Sequence, residues 1–166
     1  MKFVGFVGSS GSGKTTLIAQ VLPLLRRSGL RVSTIKHAHH GFDLDRPGKD
    51  SYRHREAGAE EVMLVSGERW ALLREQRGDD DVSLHALARR MTQVDLLLVE
   101  GFKLARVPKI EVYRPSLRKP PLFPDDPDIL AVASNVTVET AGRPCLSLDD
   151  PGAVAAFIVS QAMGAS

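Results

Sequence analysis

Gly8-Ser9-Ser10-Gly11-Ser12-Gly13-Lys14-Thr15 is the stretch that decides how this chain is read. It fits the spacing G-x-x-x-x-G-K-[ST], in which glycine-rich backbone closes around phosphate oxygens. Lys2-Phe3-Val4-Gly5-Phe6-Val7 before it reads as a short buried strand, and Thr16-Leu17-Ile18-Ala19-Gln20-Val21-Leu22 after it as a helix. A strand, a tight turn and a helix allow backbone N–H groups to converge on an anion, and the helix N-terminus adds partial positive charge. Gly8, Ser9, Ser10, Gly11, Ser12, Gly13, Lys14, Thr15 and Thr16 are therefore the phosphate-binding candidates. Lys14 would set an ammonium against the β- and γ-phosphates, and the Thr15 hydroxyl would ligate Mg²⁺. The bland alternative is a Gly/Ser-rich turn capping an ordinary helix, and the agreement of motif and flanks argues against it.

The first helix is predicted from Lys14 to Ser28, with Gly29 as C-cap and a kink near Pro23. Leu17, Val21, Leu24 and Leu25 share its apolar face. Leu30 to Lys36 is a second strand, and strand–helix–strand at this length makes a parallel βαβ unit. Asp50 or Ser51 caps a short helix ending near Ala57. Glu61–Ser66 and Arg69–Arg74 flank Gly67-Glu68 and read as a hairpin, expected as an antiparallel edge on a parallel sheet, with Trp70 in a packing role. Ser83 caps a helix from Leu84 to Met91. Lys109–Arg114 alternates as a strand, Ile129–Ser134 is an apolar strand, and Pro144–Leu148 a short last one. Asp149 or Asp150 caps the final helix, from Pro151 to about Met163. The fold class is α/β: a P-loop NTPase-like, mostly parallel sheet with flanking helices and an antiparallel hairpin extension. The expected organisation is one nucleotide-binding domain over 1–166, with 115–128 a long proline-rich loop that serves as lid, partner surface or plain connection.

Val94-Asp95-Leu96-Leu97-Leu98-Val99-Glu100-Gly101 is the second chemical landmark, a Walker-B-like apolar strand ending in an acid. Its two acids stand roughly 16 Å apart along a strand rising about 3.3 Å per residue. Ligands gather at the C-terminal edge of a parallel sheet. Glu100 is thus the candidate for Mg²⁺ or a water, and Asp95 belongs to the far edge. Lys103 and Arg106 follow close to the nucleotide edge. The loop from Lys36 to Ser51 concentrates histidines and carboxylates. A transition-metal site fits it poorly, because His39 and His40 are adjacent and no H-x-x-x-H spacing occurs. A phosphate- or partner-binding loop fits better, with Asp43 or Asp45 able to hold a Mg²⁺-bound water. No assured general base stands out. Lys14, Glu100 and Asp45 are the catalytic candidates, and Thr15 and Glu100 the metal candidates. Asn135 ends a strand, where it serves a purine edge or a turn. Gly78–Asp81 reads as a solvated acidic turn, and Cys145 as a buried, inert thiol.

With 166 residues, 43% hydrophobic and 25% charged, the chain has the composition of an ordinary globular domain. No apolar run reaches the ~20 residues of a membrane helix. The N-terminus meets the P-loop too soon for a signal peptide, and the single cysteine suits a reducing compartment, so a cytoplasmic location without membrane partners is expected. A formal charge of +2 argues against a general nucleic-acid coat.

The chain resembles the molybdopterin-guanine dinucleotide biosynthesis adapter (MobB) family. The carrying stretches are Gly8–Thr15 after Phe3–Val7, Ile35–His40, Phe42–Ser51, Arg53–Ala59, Leu98–Lys103 and Lys109–Arg114, in order along nearly the whole chain. The P-loop is shared by many NTPases; the histidine–aspartate loop and Val99-Glu100-Gly101-Phe102-Lys103 are more specific. The resemblance implies a GTP-binding protein with weak, Mg²⁺-dependent GTPase activity. It further implies a homodimer assisting attachment of GMP to molybdopterin, with the guanylyltransferase MobA and a molybdenum-insertion protein as partners and molybdopterin as a candidate ligand. It assigns Gly8, Gly11, Gly13, Lys14 and Thr15 to phosphate and Thr15 and Glu100 to Mg²⁺. The N/T-K-x-D guanine signature is absent, so guanine selectivity rests on the resemblance alone. Three readings follow: a GTP-hydrolysing or GTP-presenting accessory protein, a small-molecule kinase on the same fold, and a nucleotide-regulated adapter with little catalysis.

Overall fold

The computed structural model of the chain describes residues 1–38, 45–76 and 82–163. The elements in chain order are β1 (Lys2–Val7), α1 (Lys14–Arg27), β2 (Val32–Lys36), α2 (Asp50–Glu56), β3 (Glu61–Val65), β4 (Trp70–Arg74) and α3 (Leu84–Arg89). They continue with β5 (Leu96–Glu100), β6 (Lys109–Tyr113), β7 (Ile129–Ser134), β8 (Cys145–Ser147) and α4 (Pro151–Met163). Two compact units emerge, one of Met1–His37 with Ala88–Ser166 and the other of Ala38–Leu87.

The larger unit is built on a six-stranded sheet in the order β2-β5-β1-β6-β7-β8. Every pairing in it is parallel. α1 and α4 pack side by side, burying Leu17, Val21 and Leu25 with Val154 and Ile158 against Phe6, Leu98 and Val112. Gly29 ends α1 at φ +83°, and Asp150 Oδ1 caps α4 by accepting from the Ala153 N–H at 3.0 Å. Val7, Phe123, Ile129 and Val132 form a second cluster. β5 is buried from Leu96 to Val99, as its unbroken apolar run requires in a strand covered on both faces.

β6 departs from its pattern. Alternation of Lys109, Ile110, Glu111 and Val112 signals a solvent face, yet Lys109 and Glu111 are both buried. β6 lies inside the sheet between β1 and β7, so both of its faces are covered. The charges are satisfied instead of solvated. Lys109 Nζ meets Asp126 Oδ2 at 2.8 Å, and Glu111 accepts from the Leu122 N–H at 2.9 Å and the Phe123 N–H at 2.8 Å. These contacts fasten the 115–128 segment, which is not structureless: it opens with a 3-10 turn at Pro115–Leu117 and buries Phe123. Burial raises the Glu111 carboxyl above its ordinary range, with the two backbone N–H groups opposing. Cys145 also departs from expectation, being exposed. It lies on β8, the outermost strand, where neighbouring side chains alternate between faces and only Leu146 is partly covered.

In the smaller unit β3 and β4 form the predicted hairpin, paired from Glu61↔Arg74 to Val65↔Trp70. It is a sheet of its own and does not extend an edge of the parallel sheet. Turn chemistry and alternation are local and specify which strands pair, not which sheet they join. Trp70 is 64% exposed, so it does not have the packing role expected of it within this chain. α2 packs against β3. Arg55 joins Glu75 at 2.9 Å and Asp45 at 3.9 Å, and the Ser51 hydroxyl donates to Asp45 at 2.8 Å. Among the described residues no helix is long and apolar enough to cross a membrane.

Candidate functional site

Because all six strands run the same way, the chain segments that leave their C-terminal ends collect along one edge. The P-loop leaves β1 there, Lys36 ends β2 with His37 after it, Glu100 ends β5, Arg114 follows β6 and Asn135 follows β7. The sheet thus brings together residues up to 127 positions apart, counted from Gly8 to Asn135. Asn135, Ser10, Gly11, Thr15 and Thr16 are exposed at or beside this edge.

Gly8 begins the loop at φ +134°, a conformation L side chains rarely adopt, and a Cβ there would run into the Val112 carbonyl oxygen. The turn can therefore press against β6 only with glycine. Gly13 occupies the N-cap of α1 with no side-chain cap, and the first turn carries no acidic residue. Its open N–H groups and positive helix end are thereby left to an anion. Ser12 is buried, and its hydroxyl has no hydrogen-bond partner among the described residues. An anionic oxygen is the kind of acceptor such a group lacks.

Lys14 Nζ folds back over the loop, donating to the Gly8 carbonyl at 3.1 Å and the Ser9 carbonyl at 2.8 Å. Burial lowers its pKa from the ordinary lysine value; Glu100 opposes the shift, and Lys103 and Lys36 add to it. The Thr15 hydroxyl donates to Glu100 Oε1 at 2.7 Å, so the two residues predicted for Mg²⁺ meet directly. A hydroxyl and a carboxylate are the hard oxygen donors that Mg²⁺ takes when phosphates and water complete its shell. The residues present therefore fit a nucleotide with Mg²⁺. Asp95 stays at the opposite edge, accepting from the Arg31 N–H at 2.7 Å.

Two residues of this edge owe their contacts to strands distant in sequence. Arg114 Nε donates to the Ser12 carbonyl at 2.9 Å, and its guanidinium stands close to where a Cβ on Gly13 would lie. Lys36 Nζ stands 3.2 Å from Glu100 Oε1 and 3.3 Å from Thr15 Oγ1. Lys36 opens the loop read as a phosphate- or partner-binding candidate, but its contact with Glu100, like that of Arg114 with Ser12, is set by strand pairing and not by local spacing. Beyond Glu100 the backbone is unusual: Phe102 has φ +51°, costly for a bulky side chain, and its ring packs 5.0 Å from that of His37. The contact ties the segment after β5 to that after β2. Asp45 belongs to the smaller unit, where it is bound to Ser51 and Arg55. His39, His40, Asp43 and the acidic turn Gly78–Asp81 lie outside the described residues.

Fold and loop define an α/β protein of the P-loop-like class. The family model described as molybdopterin guanine dinucleotide synthesis protein B matches residues 3–135. The chain belongs to this MobB family. It is 40% identical over 159 residues to the molybdopterin-guanine dinucleotide biosynthesis adapter protein of Escherichia coli (strain K12), covering 94% of this chain and 90% of that one. It is 44% identical over 158 residues to the protein of the same name from Haemophilus influenzae, covering 93% and 86%. The crystal structure of Bacillus subtilis MobB superposes with a TM-score of 0.72 at 29% identity, covering 97% of this chain and 98% of that one.

Proposed function

We propose that this protein is a GTP-binding adapter of molybdopterin-guanine dinucleotide biosynthesis, holding Mg²⁺·GTP on the P-loop. The observation that carries the reading is the arrangement of Lys14 across the Gly8 and Ser9 carbonyls with Thr15 against Glu100. Phosphoryl chemistry needs positioning and charge neutralisation more than covalent help from the protein. Backbone N–H groups of the first turn of α1 would hold phosphate oxygens, Lys14 would leave its carbonyls for the β/γ-phosphates, and Thr15 and Glu100 would hold Mg²⁺. When bound, that ion supplies charge neutralisation between the phosphates. Hydrolysis would be slow, because a Glu100 carboxylate committed with Thr15 to the metal makes a poor base for water.

Presentation of the nucleotide to MobA and the molybdenum-insertion protein is the role this reading gives the complex, in a cytoplasmic setting. A homodimer is supported by the hairpin. Met63, Val65, Trp70 and Leu72 lie on one of its faces and are 57%, 73%, 64% and 45% exposed. A contiguous apolar face of this kind marks an interaction surface. Titration calorimetry of GTP and ATP with Mg²⁺ tests the nucleotide assignment. Wild type binds GTP and Lys14→Ala loses most of the affinity; equal binding by the two would refute it.

A further inference from the structure

We propose that Lys36 is a tethered cation occupying the Mg²⁺ position, which the metal displaces on arrival. The proposal rests on the nucleotide reading given above and adds a residue to it. Lys36 and Glu100 are register partners on adjacent parallel strands, so the sheet itself sets their side chains beside each other. The ammonium stands 3.2 Å from Glu100 Oε1 and 3.3 Å from Thr15 Oγ1, against the two groups that would hold the metal. Glu100 is only 13% exposed in its side chain, so a cation near it is poorly replaced by water.

The physical consequences follow from charge. Without metal, an unneutralised Glu100 would face the polyphosphate and repel it, and Lys36 cancels that carboxylate. Mg²⁺ and an ammonium cannot share the same two oxygens, because like charges at this spacing repel strongly. The lysine must therefore swing away when the metal binds. Its side chain is 58% exposed and borders a cavity of about 250 Å³ between α1 and β2, which gives it room. Lys36 would thus let the site accept nucleotide before metal and would weaken the site's hold on metal in the absence of nucleotide.

The test is calorimetric binding of GTP in EDTA and in excess Mg²⁺, for wild type, Lys36→Met and Lys36→Arg, with circular dichroism as a check on folding. Lys36→Met should bind GTP about tenfold more weakly in EDTA and no more than about threefold more weakly in Mg²⁺, so that its dependence on metal rises. Lys36→Arg keeps the charge and should stay close to wild type. Should Lys36→Met fail to fold, Lys36→Gln removes the charge with a polar head and carries the same expectation. Equal metal dependence in wild type and the neutral variant overturns the role of Lys36 while leaving the nucleotide site standing. Absence of GTP binding by wild type under both conditions overturns both.

Discussion

Arg114 Nε donates to the carbonyl oxygen of Ser12 at 2.9 Å, joining the end of β6 to the P-loop across 102 residues of sequence. The bond braces the loop, and the guanidinium stands close to where a Cβ on Gly13 would lie. Arg114 thus braces the P-loop through its backbone. A hydrogen bond with a charged partner is worth about 1.5–3 kcal/mol. Arg114→Ala should weaken nucleotide binding about tenfold with little change in the phosphate-independent fold. Lysine lacks the planar fork and should rescue only part of it. Calorimetry with the two variants decides, and unchanged affinity in Arg114→Ala would refute the coupling.

Thr15→Val keeps the shape of the side chain and removes its oxygen. Loss of one hard ligand should reduce the gain in nucleotide affinity from Mg²⁺ by about 10–100-fold, as for other metal-site ligands and their supports. Binding in EDTA should change little. If the two conditions suffered equally, Thr15 would be serving phosphate and not metal.

Glu111 predicts a pH signature. Burial holds its folded pKa above the ordinary glutamate value, with the Leu122 and Phe123 N–H groups opposing. A raised folded pKa contributes stability that is full below the unfolded pKa and is lost as pH climbs through the folded one. Chemical denaturation of wild type and Glu111→Gln, from the acid side of the glutamate range to neutrality, should show the wild-type advantage shrinking as pH rises. A difference that stays constant with pH would contradict this.

The exposed hairpin face predicts oligomeric behaviour. Val65 and Trp70 are opposed on β3 and β4, and both point away from the buried Val62. Replacing both by aspartate should convert a dimer to a monomer by light scattering while leaving the circular dichroism intact. A monomeric wild type, or a dimer that survives both substitutions, would dissociate the hairpin from self-association.

The sequence alone determined the P-loop spacing, the parallel sheet with its helices, and Glu100 as the acid at the C-terminal end of its strand. These are set by local spacing: glycines where the turn requires them, an apolar run long enough for a central strand, and an acid at its C-terminal end. Asp95 was separable from Glu100 by strand rise, and Ser83 declared its helix cap, whereas the choice of Asp150 over Asp149 came from the structure. What the sequence could not show depends on which strands become neighbours. Lys36 reaches Glu100 because β2 pairs with β5, and Arg114 reaches Ser12 because β6 pairs with β1. The same placement buried Lys109 and Glu111, whose burial the alternation could not show, and left Cys145 exposed on an outer strand. Periodicity reports one strand's own two faces; whether each face is covered, and which charge stands opposite, is decided only when distant strands come together in the sheet.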